Sequence, residues 1–218
     1  MSIDKSMKTI VMQNLVYKMQ EPVMFDVKLG SILYNSLDPE FEKTTTHIDA
    51  ILKNDPEYFT DEERQAKCIS KAKKMKWRMQ NTTSKDLSMN LCRFSYKLLE
   101  MDHSDIFLYK EEDIRRFMTD FFDRIPQSRK IVVEKLLEII EVLKQSKLFT
   151  KFVPIHSSIC VFCDVKNPCD VQVKFLDFGK SYPIEEFPEE DRKQQTPSIL
   201  RGIKNLEQII ESSSIKVF

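Results

Sequence analysis

Pro22-Val23-Met24-Phe25-Asp26-Val27-Lys28-Leu29-Gly30 is the stretch on which the reading of this chain turns. Val23, Phe25, Val27 and Leu29 alternate with their neighbours at the period of a half-buried strand, expected over 23–29. Two residues apart on an extended segment, Asp26 and Lys28 point to the same face. A carboxylate and an ammonium converging there suit a phosphate-handling site. Gly30 closes the stretch and permits a sharp backbone exit that a residue with a Cβ resists.

Outward from that strand, residues 8–15 read as a short buried strand and 36–46 as a loop rich in Ser, Asp, Pro and Thr. Thr60 with Glu63 three residues on is a capping box, opening a helix expected over about 61–79. Residues 87–97 alternate as a strand, with Leu87, Met89, Leu91 and Arg93 on one side. Ile114, Phe117, Phe121 and Phe122 place a helix over 110–122. The stripe Ile131, Val132, Leu136, Ile139, Ile140, Leu143 places another over 128–147. Two β-rich runs, 157–164 and 171–176, flank the turn Lys166-Asn167-Pro168. Residues 185–197, acidic then polar and carrying two prolines, are expected to form a mobile loop, and 199–212 a closing amphipathic helix. Strands and helices mix without regular βαβ alternation or internal repeat, so the expected class is α+β.

Composition narrows the functions. Lys+Arg and Asp+Glu both count 34, so no global field points to nucleic acid or membrane. No apolar run is long enough to span a bilayer, and the first residues lack the apolar core of a secretory signal. With that, five cysteines read as reduced thiols of a cytoplasmic or nuclear protein. Three glycines, Gly30, Gly179 and Gly202, are too few and too scattered for a Walker-type phosphate cradle. His156, Cys160, Cys163 and Cys169 lie close enough to suggest zinc, but an offset of three along a strand puts Cys160 and Cys163 on opposite faces.

Further segments carry chemistry. Val173-Lys174-Phe175-Leu176-Asp177-Phe178-Gly179 is an apolar strand delivering an Asp at its end, the way kinase-like folds offer a carboxylate to a nucleotide-bound metal. Without a His-Arg-Asp loop or a Gly-rich loop ahead of it, a protein kinase is not the reading. Upstream stands Ser157-Ser158-Ile159-Cys160-Val161-Phe162. The segment 61–79 carries Arg64, Lys67, Lys71, Lys73, Lys74, Lys76 and Arg78, with few acids after Glu63, and ends on Thr82-Thr83-Ser84. An unscreened basic face of this kind suits a polyanion. Gly202-Ile203-Lys204-Asn205-Leu206 opens the last helix.

Taken in order, these segments resemble the inositol polyphosphate kinase family over roughly residues 8–210, with Thr82-Thr83-Ser84 most like the Ser-Thr-Ser of inositol hexakisphosphate kinases. The resemblance implies one domain over 1–218, a distantly protein-kinase-like C-terminal lobe over 16–218, with 1–15 a remnant strand and hinge. It implies ATP and Mg²⁺ as cofactors and an inositol polyphosphate as substrate, with any protein partner unknown. Gln13, Asn14 and Leu15 would hold the adenine, and Asp26 the ribose. Asp177 would hold the metal, supported by Ser157 and Ser158. Lys28 would bridge the transferred phosphate and the substrate. Arg78, Lys74 and Lys71 would bind substrate phosphates, Arg78 as a bidentate clamp. The Gly-Asn-Leu segment is expected to pack rather than react.

Two departures qualify the resemblance. Gly179-Lys180 stands where the family usually has Ala and His. The family also places an N-terminal lobe with a phosphate-binding lysine ahead of the hinge, where this chain has Met1 to Met7; Lys5 or Lys8 are the candidate substitutes. The alternative expectation is therefore a non-catalytic module that keeps the basic helix and binds inositol phosphates or a partner.

Overall fold

A chain with this alternation of strands and helices builds one antiparallel sheet with helices on one face. The structure, a computed structural model, describes residues 2–4, 9–95 and 106–213, and of residues 2–4 and 9–11 the backbone alone. Lys5 and Lys8 lie outside the described residues. Ser2–Asp4 (β1) pairs antiparallel with Thr9–Val11 (β2), and a turn leads into Pro22–Leu29 (β3). In β3 the expected alternation holds: Val23, Phe25, Val27 and Leu29 are buried while Met24, Asp26 and Lys28 face the other way.

The loop expected over 36–46 contains a 3₁₀ turn at Pro39–Phe41 and a short strand, Thr44–Thr45 (β4). After Asp49–Asn54 (α1), the single helix expected over 61–79 is two. Asp61–Ala66 (α2) opens with the expected capping box, Thr60 Oγ1 accepting the Glu63 N–H at 3.2 Å and Glu63 accepting the Thr60 N–H at 2.9 Å. It stops at Lys67, left-handed with φ 49°. Buried Ile69 then pairs with Thr45 in Ile69–Ser70 (β5), and the Ser70 hydroxyl caps Lys71–Asn81 (α3) by accepting the Lys73 N–H at 3.1 Å. A strand slot for a β-branched residue, followed by an N-cap serine, breaks the helical run.

Ser84–Leu87 (α4) takes Leu87 out of the strand expected over 87–97, which is Met89–Phe94 (β6); residues 96 and 97 lie outside the described residues. Phe94 opposes Phe25, Arg93 opposes Asp26 and Leu91 opposes Val27, so Cys92 is an extra, bulged residue. The bulge shifts the alternation, burying Phe94 and exposing Arg93, which was expected on the Met89–Leu91 side. Glu111–Arg124 (α5) and Pro126–Gln145 (α6) form as expected, followed by Leu148–Lys151 (α7), Phe152–Pro154 (β7), Ser158–Asp164 (β8), Val171–Leu176 (β9) and Ser181–Pro183 (β10).

The mobile loop expected over 185–197 is a correction. Glu189–Ser212 (α8) is one helix that runs through Pro197. An interior proline removes one helical hydrogen bond and clashes with the preceding turn. Here the turn is fixed from outside, because the buried Gln195 amide accepts the Ile32 N–H at 2.9 Å and donates to the Pro154 carbonyl at 3.0 Å. The Ser198 hydroxyl adds the Ser31 N–H at 3.0 Å.

The main sheet has the order β6-β3-β8-β9, every pair antiparallel. Its core face is covered by α5, α6 and α8. Phe25 is fully buried with its ring edge-on to Phe117, Phe121 and Phe122 at 5.8, 5.1 and 6.4 Å. Two smaller cores seat α3. Ala72, Met75 and Met79 pack on Ile32, Phe41, Val153, Ile155 and Phe187, while Trp77 packs with Ile48, Ile51, Phe59 and Ile69 and donates to Asp55 at 2.7 Å. Gly202 presses α8 onto the body: a Cβ there would lie 2.2 Å from the Ser88 carbonyl oxygen, so this glycine packs, as expected.

Candidate active site

Opposed residues of an antiparallel pair share a face, so register decides what the second face of the sheet carries. Three rungs cross it: Met24–Phe162–Gln172, then Asp26–Cys160–Lys174, then Lys28–Ser158–Leu176. The Asp26–Lys28 spacing thus delivers both groups to one face, and the β8–β9 hairpin brings Asp177 to the Lys28 end. The Lys28 ammonium is ion-paired and hydrogen-bonded to the Asp177 carboxylate. Asp177 is left-handed with φ 75°, which costs an L-residue about 1–2 kcal/mol. Such conformations persist where the surroundings impose them, and they cluster at functional sites.

On β3 and at the start of β8 are polar atoms without hydrogen-bond partners among the described residues: Asp26 Oδ1, Ser157 Oγ and, opposite Lys28, Ser158 Oγ, all buried. Leaving such groups unsatisfied costs roughly 1–3 kcal/mol each, which a ligand arriving with its own donors and acceptors relieves. The set is hard oxygen, the donor type that Mg²⁺ or Mn²⁺ takes. Cys160 shares the Asp26 rung; burial and the Asp26 charge push its thiol up to about 12, so it stays a neutral S–H. Cys163 lies on the core face, as the offset of three requires. The end of β3 is locked by backbone: Leu29 donates to the Ser157 carbonyl at 2.8 Å, and Gly30, at φ 94°, donates to the Ser88 carbonyl at 2.8 Å.

At the opposite end of the face, a cavity of about 520 Å³ is lined by Gln13, Asn14, Leu15, Tyr17, Lys18, Asp170 and Gln172. The three expected hinge residues therefore meet the first rung of the sheet through Gln172. Asp164 fixes the chain beyond the hinge, accepting the Gln20 and Glu21 N–H groups at 2.9 Å each. Burial works to raise its carboxyl, but these N–H groups and that of Lys166 outweigh it and leave it lowered.

The basic helix divides. Lys71 is ion-paired with Glu40, whose carboxyl Lys43 and Lys71 hold down at about 2. Lys73 pairs with Glu63 at 2.5 Å and Arg64 with Asp61 at 2.5 Å. Lys74 and Arg78 instead line a cavity of about 380 Å³ with His47, Ile48, Asp49, Ala50, Ile51 and Phe107. Burial, then the Arg78 charge, lowers the Lys74 ammonium. Arg78 stacks 5.2 Å above the Phe107 ring, and its buried Nε has no partner among the described residues. So Arg78 and Lys74 come together as expected, while Lys71 is outside the cavity lining and already neutralised. Thr82, Thr83 and Ser84 are buried; Thr82 donates to the Arg78 carbonyl at 2.7 Å, and Thr83 accepts from the Asn90 amide at 3.2 Å. These hydroxyls close α3 and fasten it to β6.

Sequence reasoning missed the residue joining the two halves. His156, left-handed with φ 59°, meets the Leu33 carbonyl at 2.6 Å. Burial drives it down to about 4, against the Leu33 hydrogen bond and with the charges of Lys180, Arg78 and Lys28. A neutral ring therefore donates to Leu33 within the field of three cations drawn from α3, β3 and the turn after Asp177. Its position just before Ser157-Ser158 was the available signal, spent in the sequence on a zinc alternative. Gln172, Lys174 and Asp164 were also missed; the β8–β9 register reveals the first two, and the Gln20 and Glu21 N–H bonds the third.

The family model described as inositol polyphosphate kinase matches residues 9–211. No curated protein sequence matches the chain. Among solved structures, the chain is similar to the inositol phosphate multikinase Ipk2 of S. cerevisiae in complex with ADP and Mn²⁺, at 15% identity and TM-score 0.57, covering 93% of this chain and 82% of that one. It is also similar to a structure of inositol phosphate multikinase at 15% identity and TM-score 0.61, covering 93% of this chain and 84% of the other. At that identity the likeness speaks for the fold, which is the expected α+β, protein-kinase-like one.

Proposed function

The chain belongs to the inositol polyphosphate kinase family, and from that membership we propose that it moves the γ-phosphoryl group of ATP onto an inositol polyphosphate, inositol hexakisphosphate before others, to give a diphosphoinositol product. The observation that carries the reading is the Lys28–Asp177 pair on a sheet face that also carries the unsatisfied oxygens of Asp26 and Ser158 and that begins in the hinge cavity.

In this reading Gln13, Asn14 and Leu15 receive the base and Asp26 the ribose hydroxyls. Asp177 and the two serines would hold a divalent cation, which when bound would neutralise charge on the nucleotide phosphates. Lys28, ion-paired with Asp177 in this structure, would meet the phosphoryl oxygens in flight. An oxygen of the substrate's own phosphate bonds to the γ-phosphorus as the bond to the β,γ-bridging oxygen breaks, and ADP leaves. That oxygen is already anionic, so no side chain has to take its proton. Lys74 and Arg78 orient the acceptor, a contribution worth orders of magnitude where geometry is held.

A second reading, an inositol phosphate-binding module without turnover, draws on the Lys74–Arg78 cavity, which needs no nucleotide. Transfer from labelled ATP to inositol phosphates carrying three to six phosphates tests the assignment. Turnover rising toward six phosphates is expected. Preference for three or four would move the substrate to a less phosphorylated class, and binding without turnover would favour the module.

A further inference from the structure

Lys174 occupies the middle rung of the nucleotide face, across Cys160 from Asp26. It stands two residues after Gln172, which lines the hinge cavity, and three before Asp177. At strand rise these separations are roughly 7 and 10 Å, so Lys174 stands between the place of the base and the place of the metal. The side chain is half-buried and has neither ion pair nor hydrogen bond among the described residues. Lys28, the other lysine on these rungs, is by contrast already committed to Asp177. A flexible cation on this rung, opposite a carboxylate with an unsatisfied oxygen, fits the junction of a sugar and its phosphate: hydroxyls toward Asp26, anionic oxygens toward Lys174.

The competing explanation is structural. β9 is an edge of the four-stranded sheet, and lysines on edge strands discourage pairing with other chains. That role requires only exposure, whereas Lys174 lies on the face that leads from the hinge to Asp177.

Resting on the nucleotide reading above, we infer that Lys174 is a nucleotide-binding residue whose ammonium holds the phosphate nearest the ribose. The test is calorimetric titration of the full chain with adenosine, AMP, ADP and ATP in magnesium chloride, for wild type, Lys174→Gln and Lys174→Arg, with thermal unfolding as the folding control. Lys174→Gln is expected to weaken AMP, ADP and ATP each by about tenfold while adenosine is unchanged, as for loss of one charge-assisted contact. Lys174→Arg is expected to keep most of that affinity. Equal affinities in wild type and Lys174→Gln overturn the inference, and self-association of the variant in sedimentation would then identify an edge guard. A loss that includes adenosine overturns it as a packing effect. A loss confined to ADP and ATP, or AMP bound no better than adenosine by wild type, overturns the assignment to the first phosphate. Wild type binding no nucleotide overturns the nucleotide reading itself, and the inference with it.

Discussion

Replacing Gly30 by alanine strikes the exit from β3 in two ways at once. At φ 94° an L-residue is strained by about 1–2 kcal/mol. The new Cβ would also lie 2.4, 2.8 and 2.9 Å from Nε2, Oε1 and Cδ of Gln195. That amide is no loose side-chain end, since it is buried and bonded to the Ile32 N–H and the Pro154 carbonyl. Moving it breaks both bonds, at about 1 kcal/mol each. Gly30→Ala should therefore cost about 3–4 kcal/mol, a large share of a typical domain's stability. Gln195→Ala should cost about 2 kcal/mol, the same two bonds. Because both substitutions lose those bonds, the double variant should be scarcely worse than Gly30→Ala alone, leaving a coupling of about 2 kcal/mol. Urea unfolding followed by Trp77, the sole tryptophan and buried, measures all three. Additivity within about 0.5 kcal/mol would refute the steric argument.

Gly202→Ala should destabilise by about 1–3 kcal/mol despite its gain in helix propensity, because the obstruction is the Ser88 carbonyl, which also holds Gly30; Gly179→Ala, with nothing within 4 Å of its added Cβ, should stay within about 0.5 kcal/mol by the same urea assay. His156 takes its proton near 6.5 unfolded but at about 4 folded, so the unfolded state binds more protons in between. Stability from this group is full above pH 6.5 and falls as the pH drops toward 4, by up to about 3 kcal/mol; His156→Gln should flatten urea midpoints across that window. Arg78→Ala should raise KM for the inositol phosphate about tenfold or more while leaving KM for ATP within about twofold, and steady-state kinetics in both substrates will separate the two.

How far the fold was legible depended on whether its cause was local. The β3 alternation, the phenylalanine stripe of α5 and the Thr60–Glu63 box are written in neighbouring residues, and each formed where expected. The helix through Pro197 was not legible, because its compensation comes from Ile32 and Pro154, distant in sequence. The break at Lys67 to Ser70 hid for the same reason: Ile69 needs Thr45 as a partner. At the site, the shared face of Asp26 and Lys28 was readable from their spacing, and Asp177 from its place at the end of an apolar strand. Lys71 looked unscreened because Glu40, 31 residues away, is its counter-ion. His156 and Lys174 acquire meaning only through the turn to Leu33 and the β8–β9 register.

The most direct measurement is phosphoryl transfer from labelled ATP to inositol hexakisphosphate in wild type, Lys28→Ala and Asp177→Ala, with inositol phosphate binding recorded alongside. Turnover in wild type, lost in both variants while binding stays nearly intact, is the expected result. Turnover that survives in Asp177→Ala would contradict the assignment of the metal and phosphoryl-transfer centre to the Lys28–Asp177 pair.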